Sequence, residues 1–498
     1  MHHKDIKSQI RKQLKIKYPN WKRLSRKEKK TISKAVMEEV ISNYDFEVPV
    51  TSSFESLLGI EEQIPTRGII PLSEMGRYIA HNRNDQMFPI KKKQHPLFSK
   101  DKELKIIDDL LNDSVIDAIL SYEGYNPGMR EFLPVNFLRA ELLKAIKYPE
   151  ISYRKFCTEE YMGMDQKLNR VFIGLPLNKK KIIHHVQLSQ FRSSLNFKQM
   201  VNLMVYVLHH LFKSDILGEQ TIHCIDSTEL AVDNSKLLAT FEIKGQKIRI
   251  YDDIDCDCGK RRNKRDKSVY VIGYRMHTLT AIDANTGHSY PLISLLAPAN
   301  HHDSNFHLPL VQLGKAMGLE IKLITADEAY CDKDGSFYNC TGAHLITPPK
   351  SKVRLPENVN SETMEVMYDE QCEIPMEYLG VDSCDHEFKC GASTGECFRE
   401  NGCPKYRSIP IDSGHFQRIP YNQKHVSEAI DIRKNGERPF NLLKKREGLD
   451  IVRVRSQHGL LARCTFTTMA TLLLEIADTR RKKKAKRKSK QLPLPFAA

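Results

Sequence analysis

The stretch TIHCIDSTELAV, residues 221–232, marks the point where the sequence changes from helical to strand-forming patterns. Apolar and β-branched residues run through it and Asp226 stands near its centre, which predicts a short strand. Residues 267–298 (KSVYVIGYRMHTLTAIDANTGHSYPLISLLAP) predict two further strands around an Asn-Thr-Gly turn. Residues 319–330 (LEIKLITADEAY) predict a strand that ends at Asp327. The centre of the chain is therefore rich in strands.

Helical patterns flank this region on both sides. Upstream, residues 101–215 place apolar residues three and four apart, as in 104–120 and 135–146. Residues 198–212 are apolar nearly all round, which indicates a buried helix. Downstream, a helical pattern covers about 437–477. Strand, hairpin, strand, insertion and helix together predict an α/β fold with a mixed sheet flanked by helices.

Length and composition limit the class of protein. At 498 residues the chain is long enough for about two to four domains. Hydrophobic residues make up 40% of it, and no apolar run approaches the roughly 18–20 residues that span a bilayer. The polar start lacks the apolar stretch of a secretory signal. We therefore expect a soluble, cytoplasmic protein with no membrane contact, whose twelve cysteines are thiols or metal ligands.

The positive charge is concentrated at the two ends. The formal net charge is +15, with twelve Lys or Arg in residues 1–30 and nine in residues 480–490. Either run taken alone is typical of a solvated, disordered tail. Two basic ends around a middle of mixed charge favour contact with a nucleic-acid backbone, where counterion release supplies much of the binding free energy.

Three carboxylates stand out as candidate ligands for divalent metal ions. Asp226 and Asp327 each stand where a strand gives way to polar residues, so neighbouring strands would present both at one sheet edge. Singly, each is more simply a cap or turn residue. The third, Glu437, lies in the pattern Arg433, Glu437, Lys444, whose members would fall within about 40° on a continuous helix. A charged, solvated helix face is the alternative interpretation.

Gly436 and Pro439 complicate that single helix, because proline suits the first helical turn better than the interior. A helix that begins near Glu437 would leave Arg433 on a separate segment. Glu428 and Glu447 are the substitutes to consider if Glu437 points elsewhere.

Several motifs in order give the chain a resemblance to the DDE transposases of insertion sequences, in the group with a YREK signature around the catalytic Glu. The resemblance covers most of residues 110–478. The matching motifs are ISYRKF (151–156), LSQFRSSL (188–195), CIDSTEL (224–230), GYRMHTLTAID (273–283), APANHHDS (297–304) and ITADEAYCD (324–332). The tyrosine of the signature would fall at position 430, which is Ile430 here.

The resemblance implies a ribonuclease-H-like catalytic core, an N-terminal all-α DNA-binding region and an insertion between the second Asp and the Glu. The expected units are a basic arm and linker (1–100), a helical DNA-binding domain (101–215), the catalytic domain (216–345 and 426–478), a cysteine-rich insertion (346–425) and a basic tail (479–498).

The resemblance also implies a reaction. Asp226, Asp327 and Glu437 would hold two Mg²⁺ or Mn²⁺ ions and be catalytic, while Arg433 and Lys444 would contact DNA phosphates. The expected partners are double-stranded DNA, as transposon ends and target, and a second copy in a homodimer on DNA, nucleoid-associated in a prokaryotic host. Two alternatives stay open: a non-transposing ribonuclease-H-like nuclease, and an inactive zinc-containing DNA-binding regulator.

The insertion carries a cysteine cluster with the thiolate density of a tetrahedral Zn²⁺ site. It contains Cys372, Cys384, Cys390, Cys397, Cys403 and His386. The spacing is looser than a CxxC knuckle, so ordinary thiols are the alternative, and resemblance favours Cys372, Cys390, Cys397 and Cys403 as the ligands. Another pair, Cys256 and Cys258, is interpreted as not binding metal.

Three histidines, His277, His301 and His302, stand close to these motifs. Histidine is the commonest general base near neutral pH, but two-metal chemistry needs no side-chain base, because the metal acidifies its bound water. We interpret His301 and His302 as turn residues, with contact to DNA as the alternative.

Overall fold

The computed structural model describes most of the chain, and every structural statement below concerns these residues. They are 2–44, 68–84, 96–121, 131–217, 221–232, 236–243, 246–262, 268–331, 336–348, 356–360, 363, 365–369, 372, 374–382, 385–392, 405–410, 424–447, 451–452, 454 and 456–490.

Sixteen α-helices are described within these residues. They are α1 His2–Lys17, α2 Arg26–Ser42, α3 Leu72–Asn82, α4 Lys102–Leu110, α5 Asp113–Leu120, α6 Pro134–Lys147, α7 Tyr153–Phe156, α8 Glu159–Met162, α9 Lys167–Ile173, α10 His185–Ser194, α11 Phe197–Phe212, α12 His307–Ala316, α13 Ser336–Thr341, α14 Lys424–Arg433, α15 Arg438–Glu447 and α16 Gln457–Lys490.

Twelve strands are described in the same residues. They are β1 Thr221–Val232, β2 Leu237–Ile243, β3 Gln246–Tyr251, β4 Asp257–Arg262, β5 Ser268–Asp283, β6 Ser289–Pro298, β7 Leu323–Ala326, β8 His344–Ile346, β9 Met376–Asp382, β10 Asp385–Cys390, β11 Tyr406–Pro410 and β12 Ile451–Val452.

The main sheet is mixed, as the sequence predicts. Antiparallel β6, β5 and β1 are followed by β7 and β8, which run parallel to β1. The first part of β5 pairs with β4 instead of β6, and β12 adds to the end of β1. The predicted strand, hairpin and strand around Asp226 and Asp327 are confirmed.

One apolar core joins the sheet to the helices of residues 101–215 and to α16. The all-apolar helix predicted over 198–212 is present as α11, buried along most of its length. Residues 101–215 and the sheet therefore fold around a shared interior.

Helix α16 bears on the expectation that the chain makes no membrane contact. By length and composition its stretch Gln457–Lys484 could cross a membrane, although it contains no unbroken apolar run of 18 residues. However, 83% of its most apolar window is buried inside the protein. A core helix of a soluble domain passes the same test, so the helix is weak support for a membrane span.

The basic N-terminal segment forms a helical hairpin. Helices α1 and α2 pack on the β2–β3 ribbon, which lies between β1 and β5 in sequence, and form a second apolar core that includes Ile10, Met37 and Ile250. Residues Asp252–Asp257, called the acidic loop below, follow β3 and face the basic side of this hairpin.

Part of the predicted insertion is described as a small antiparallel sheet of β9, β10 and β11. Val366, Met376, Phe388 and Ile409 form its apolar core. Cys384, Cys397 and Cys403 lie outside the described residues.

Candidate functional site

Asp226 and Asp327 occupy neighbouring positions of the main sheet, where β7 ends beside β1. Strands β1 and β7 are parallel, with Ile225 opposite Ala326, so the two aspartates occupy the next position on each strand. Asp327 follows the last residue of β7 and caps a short 3₁₀ turn by accepting a hydrogen bond from the Glu328 amide at 2.8 Å. Asp327 lies just past the end of β7, as the sequence predicts, whereas Asp226 lies in the middle of β1, which continues to Val232.

Glu437 reaches the same region from a different part of the chain. It ends the 3₁₀ turn Lys434–Glu437, whose buried Gly436 lies directly on β1. A Cβ at position 436 would come within 2.5 Å of Cys224 Sγ, so only glycine permits this approach. Arg438 Nη1 also donates a hydrogen bond at 3.2 Å to the carbonyl of Gly287 in the β5–β6 turn. The turn that carries Glu437 is thus fixed against two strands.

The prediction that Arg433, Glu437 and Lys444 share one uninterrupted α-helix is wrong, because a 3₁₀ turn separates two α-helices. Arg433 ends α14, Glu437 ends the 3₁₀ turn, and Lys444 lies in α15. The break has the cause the sequence indicates, because Pro439 is tolerated in the first turn of α15, where its missing amide needs no partner. The alternative of a helix that begins near Glu437 agrees with the structure to within one residue.

The electrostatics of Asp226 connect these segments. Burial, to which the negative charges of Glu437 and Asp327 add, raises the pKa of Asp226 from its ordinary value of 3.8 to about 7. The Ser227 amide hydrogen bond and the positive charge of Arg433 oppose this shift without cancelling it. Asp226, Asp327, Glu437 and Arg433 therefore act on one another, and the three carboxylates are called the carboxylate site below. Lys444 is not among the groups that chiefly set this pKa.

The two substitutes for Glu437 lie on the helices on either side of its turn. Glu428 is exposed on α14 and pairs with Lys424 one turn away at 3.8 Å. Glu447 ends α15, ten residues beyond Glu437, and its side chain lies outside the described residues.

A buried hydrogen-bond network lies next to the two aspartates. The Tyr330 hydroxyl, three residues after Asp327, is completely buried and lies 2.9 Å from His277 Nδ1 on β5. It also hydrogen-bonds the Ser227 side chain, next to Asp226 on β1. Tyr330 thereby joins the turn that bears Asp327 to both neighbouring strands. Burial lowers the pKa of His277 well below 6.5, so this ring is neutral near pH 7.

Charged residues extend this network along the sheet. Arg275 pairs with Asp303 at 2.7 Å and with Glu229 at 3.3 Å. The sequence motifs contain Tyr330, Arg275 and Asp303, but no sequence pattern assigns these residues a role. Their signal is position, because each stands within a few residues of a motif that carries a candidate ligand.

The other histidines occupy a turn, as interpreted from the sequence. His302 precedes the 3₁₀ turn Asp303–Asn305, and its Nδ1 accepts a hydrogen bond from the Ser304 amide at 3.2 Å. The neighbouring His301 is 6% exposed, and its amide donates to the Pro298 carbonyl. Burial makes His301 a poor candidate for direct contact with DNA.

The donor set suits a hard divalent cation, since it consists of carboxylate oxygens at a rigid sheet edge. Among the described residues, however, no three His, Cys, Asp or Glu side chains are arranged to hold one ion. Ligation by all three carboxylates together is therefore not shown at the level of side chains. Burial chiefly, and the neighbouring carboxylates in addition, disfavour the ionised form of Asp226, a cost that a bound divalent cation would relieve.

The cysteines are divided between the described and undescribed parts of the chain. Cys390 ends β10, and Cys372 lies in the segment that leads into β9, four residues before the Met376 that pairs with Cys390. The other two proposed zinc ligands, Cys397 and Cys403, lie outside the described residues. Cys256 belongs to the acidic loop, where its carbonyl accepts a hydrogen bond from Arg11 Nη2 at 3.1 Å.

Comparison with known proteins identifies the family. A family model described as transposase DDE domain matches residues 217–473, which is just over half of the 498-residue chain. A search among curated proteins found no significant match. The matched residues begin just before β1 and end inside α16, so they include Asp226, Asp327 and Glu437. The chain belongs to the family of transposases with a DDE domain.

Proposed function

We propose that this transposase cleaves DNA at transposon ends by metal-dependent hydrolysis and transfers the freed 3′-hydroxyl ends into target DNA. The observation that carries the proposal is the meeting of Asp226 and Asp327, on adjacent parallel strands, with the docked turn that bears Glu437. These elements are separated by about a hundred residues in sequence, and each contributes a hard oxygen donor.

The three carboxylates would hold two Mg²⁺ or Mn²⁺ ions, which supply Lewis acidity and an activated water or hydroxyl nucleophile. Asp226 and Asp327 define the position of the reacting phosphate, because their backbones are fixed by the β1–β7 register. Glu437 is exposed, and we expect its side chain to turn toward the phosphate from the fixed 3₁₀ turn. No covalent protein intermediate is needed.

Arg433 and Lys444 are proposed to contact DNA phosphates. Support is stronger for Arg433, which is half-buried and acts electrostatically on Asp226. Its Nε is buried without a hydrogen-bond partner in the described structure, as expected of a guanidinium that has an anionic ligand still to meet. Lys444 is half-buried on α15, farther along the chain. We further propose that two copies pair two DNA ends.

The test uses a linear duplex that carries the inverted repeats flanking the gene. With Mg²⁺ or Mn²⁺ we expect cleavage at the repeat ends and joining to target plasmid. Asp226→Asn, Asp327→Asn and Glu437→Gln should each lower cleavage by at least about 1,000-fold, about 4 kcal/mol of transition-state stabilisation. Glu428→Gln, which removes a nearby exposed carboxylate, should retain full activity. Full activity in Asp226→Asn would overturn the proposal.

A strand-transfer assay with pre-cleaved ends separates this function from its alternatives. A nuclease of the same fold would cut the duplex and leave pre-cleaved ends unjoined. A regulator without activity would bind the repeats and neither cut nor join them.

The zinc site in the insertion is a separate proposal. Cys372, Cys390, Cys397 and Cys403 would hold one structural Zn²⁺, since thiolates at this density suit tetrahedral zinc. Metal analysis of the purified chain should give one zinc per chain, and Cys390→Ser should lose it. Zinc content that is unchanged in Cys390→Ser would contradict this ligand set.

A further inference from the structure

The lysines and arginines of the N-terminal helical hairpin are divided between two faces. The inner face is buried on the acidic loop: Lys7 pairs with Asp257, and Lys29 Nζ lies 2.7 Å from Asp252 Oδ1. Lys7 is only 4% exposed and Lys29 only 3%. Because Lys7 and Lys29 are buried and paired with aspartates, they cannot contact a binding partner at the surface.

The outer face of α2 is different. Arg26, Lys27, Lys30 and Lys34 are all exposed, and none forms an ion pair with a residue in the described ranges. Counted from Arg26 at about 100° per residue, the four fall within an arc of about 100°. They are called the outer stripe below.

The acidic residues of the helix are kept out of this arc. Glu28, Glu38 and Glu39 fall at about 120° to 220° on the same count. Glu28 is engaged in capping the helix through the Ser25 amide at 2.7 Å, and Glu39 pairs with Lys17 at 2.6 Å. The outer stripe therefore presents uncompensated positive charge, and the helix separates its charges by face.

The dimensions of the outer stripe match a nucleic-acid backbone. Arg26 and Lys34 lie eight positions apart, about 12 Å along the helix. Duplex DNA carries one phosphate per 3.4 Å of axis on each strand, so the stripe covers about four phosphates.

The surroundings of the stripe do not suit a membrane surface. The apolar side of α2, with Val36, Met37 and Val40, is buried in the hairpin core. Interfacial helices need an exposed apolar face to insert between lipids, and among the described residues α2 exposes no large apolar side chain.

We propose that the outer stripe of α2 is a docking surface for the phosphate backbone of duplex DNA, held in place by the inner cations on the acidic loop. The surface lies outside residues 101–215 and outside the carboxylate site. Because the acidic loop also binds the start of α16, where the Gln457 amide donates to Asp255 Oδ2 at 3.2 Å, DNA held by α2 is coupled mechanically to the catalytic fold. The inference rests on the proposed function for its choice of DNA.

The experiment measures binding of a labelled random-sequence duplex by fluorescence anisotropy, in EDTA, between about 50 and 200 mM salt. The stripe variant combines Arg26→Gln, Lys27→Gln, Lys30→Gln and Lys34→Gln. The matched control neutralises four exposed lysines outside residues 1–215: Lys236→Gln, Lys260→Gln, Lys322→Gln and Lys389→Gln. Both variants lose the same net charge.

The logarithm of affinity falls with the logarithm of salt concentration, and each phosphate contact contributes about −0.9 to that slope. The slope of the stripe variant should therefore be less negative than that of the parent by about 3 to 4. The control variant should stay within about 1 of the parent. Equal losses in both variants, or an unchanged slope in the stripe variant, would overturn the proposal. So would loss of binding to phosphatidylserine vesicles in the stripe variant with duplex binding intact.

The assay involves no cleavage, so its outcome is independent of the carboxylate chemistry. A stripe variant that binds DNA normally while the parent still cleaves would reject the surface and leave the function standing. A parent that never cleaves, with a weakened stripe variant, would reject the function and keep the surface. Circular dichroism and an unchanged melting temperature verify that the stripe variant is folded.

Discussion

The chain contains two groups of acidic residues that the fold treats in opposite ways. In the acidic loop, Asp252, Asp255 and Asp257 meet Lys29, Lys15, Lys7 and Arg11 from the N-terminal hairpin, and the loop aspartates are largely buried. In the carboxylate site, Asp226 is buried near two further carboxylates, and among the described residues the cation that chiefly opposes them is Arg433. In the acidic loop the protein supplies the counter-charges, and the aspartates have a structural role. In the carboxylate site it supplies fewer, which favours binding of a cation.

The largest contrast is expected from removing one charge in each group. Asp257→Asn would leave Lys7 and Arg11 buried without their anion, so we expect a loss of about 3 to 5 kcal/mol in unfolding free energy. Urea unfolding without divalent metal measures it. A loss below about 1 kcal/mol would show that the loop is not held by these pairs.

Asp226→Asn is the matched partner of that experiment. The pKa of Asp226 is about 7 in the folded protein and near its ordinary value of 3.8 in the unfolded chain. Ionisation of Asp226 therefore lowers the free energy of unfolding, and this loss grows as the pH rises from about 3.8 to about 7. The variant should therefore unfold at equal or higher urea than the parent at neutral pH. A clear destabilisation would break the comparison.

Divalent cations should stabilise the carboxylate site alone. At a concentration about 100 times its dissociation constant, Mg²⁺ or Mn²⁺ should raise the unfolding free energy by about 2.7 kcal/mol, because it binds the folded state. Thermal unfolding with and without the ion detects this. Asp226→Asn and Asp327→Asn should each remove the increment, whereas Asp252→Asn should retain it.

The approach of the Glu437 turn to β1 depends on Gly436. Gly436→Ala places a Cβ at 2.5 Å from Cys224 Sγ, so we expect a loss of about 1 to 3 kcal/mol and reduced cleavage. Adding Cys224→Ala removes the sulfur and should recover most of both. No recovery would mean that the turn is positioned by other contacts.

The smallest expected effect concerns the network under the aspartates. Tyr330→Phe keeps the ring and removes the hydroxyl that bonds His277 and Ser227, at about 1 kcal/mol of stability. If Tyr330 positions Asp226 and Asp327, the Mn²⁺ concentration needed for half-maximal cleavage should rise. The rise should exceed what the small loss of stability, measured as the fall in melting temperature, accounts for. Unchanged metal dependence would leave Tyr330 with a packing role only.

Sequence alone determined the strand-rich centre and its helical surroundings. The alternation and apolar runs around Asp226 and Asp327 specify strands locally, because side chains on a pleated backbone repeat every two residues. The order of motifs was enough to indicate the family that the domain match shows. These features are local in sequence, and no folding partner is needed to recognise them.

Only the tertiary structure decided which charges are paired. The cations of residues 1–30 look uniform in sequence, yet Lys29 is buried on Asp252 and Lys30 is exposed. Lys29 and Lys30 are adjacent in sequence, but which of them is buried depends on the acidic loop, more than two hundred residues away. Likewise, the turn that carries Glu437 lies against β1 because Gly436 fits against Cys224, a contact that no local pattern encodes. Counter-charges and close approaches come from distant parts of the chain, so folding assigns them.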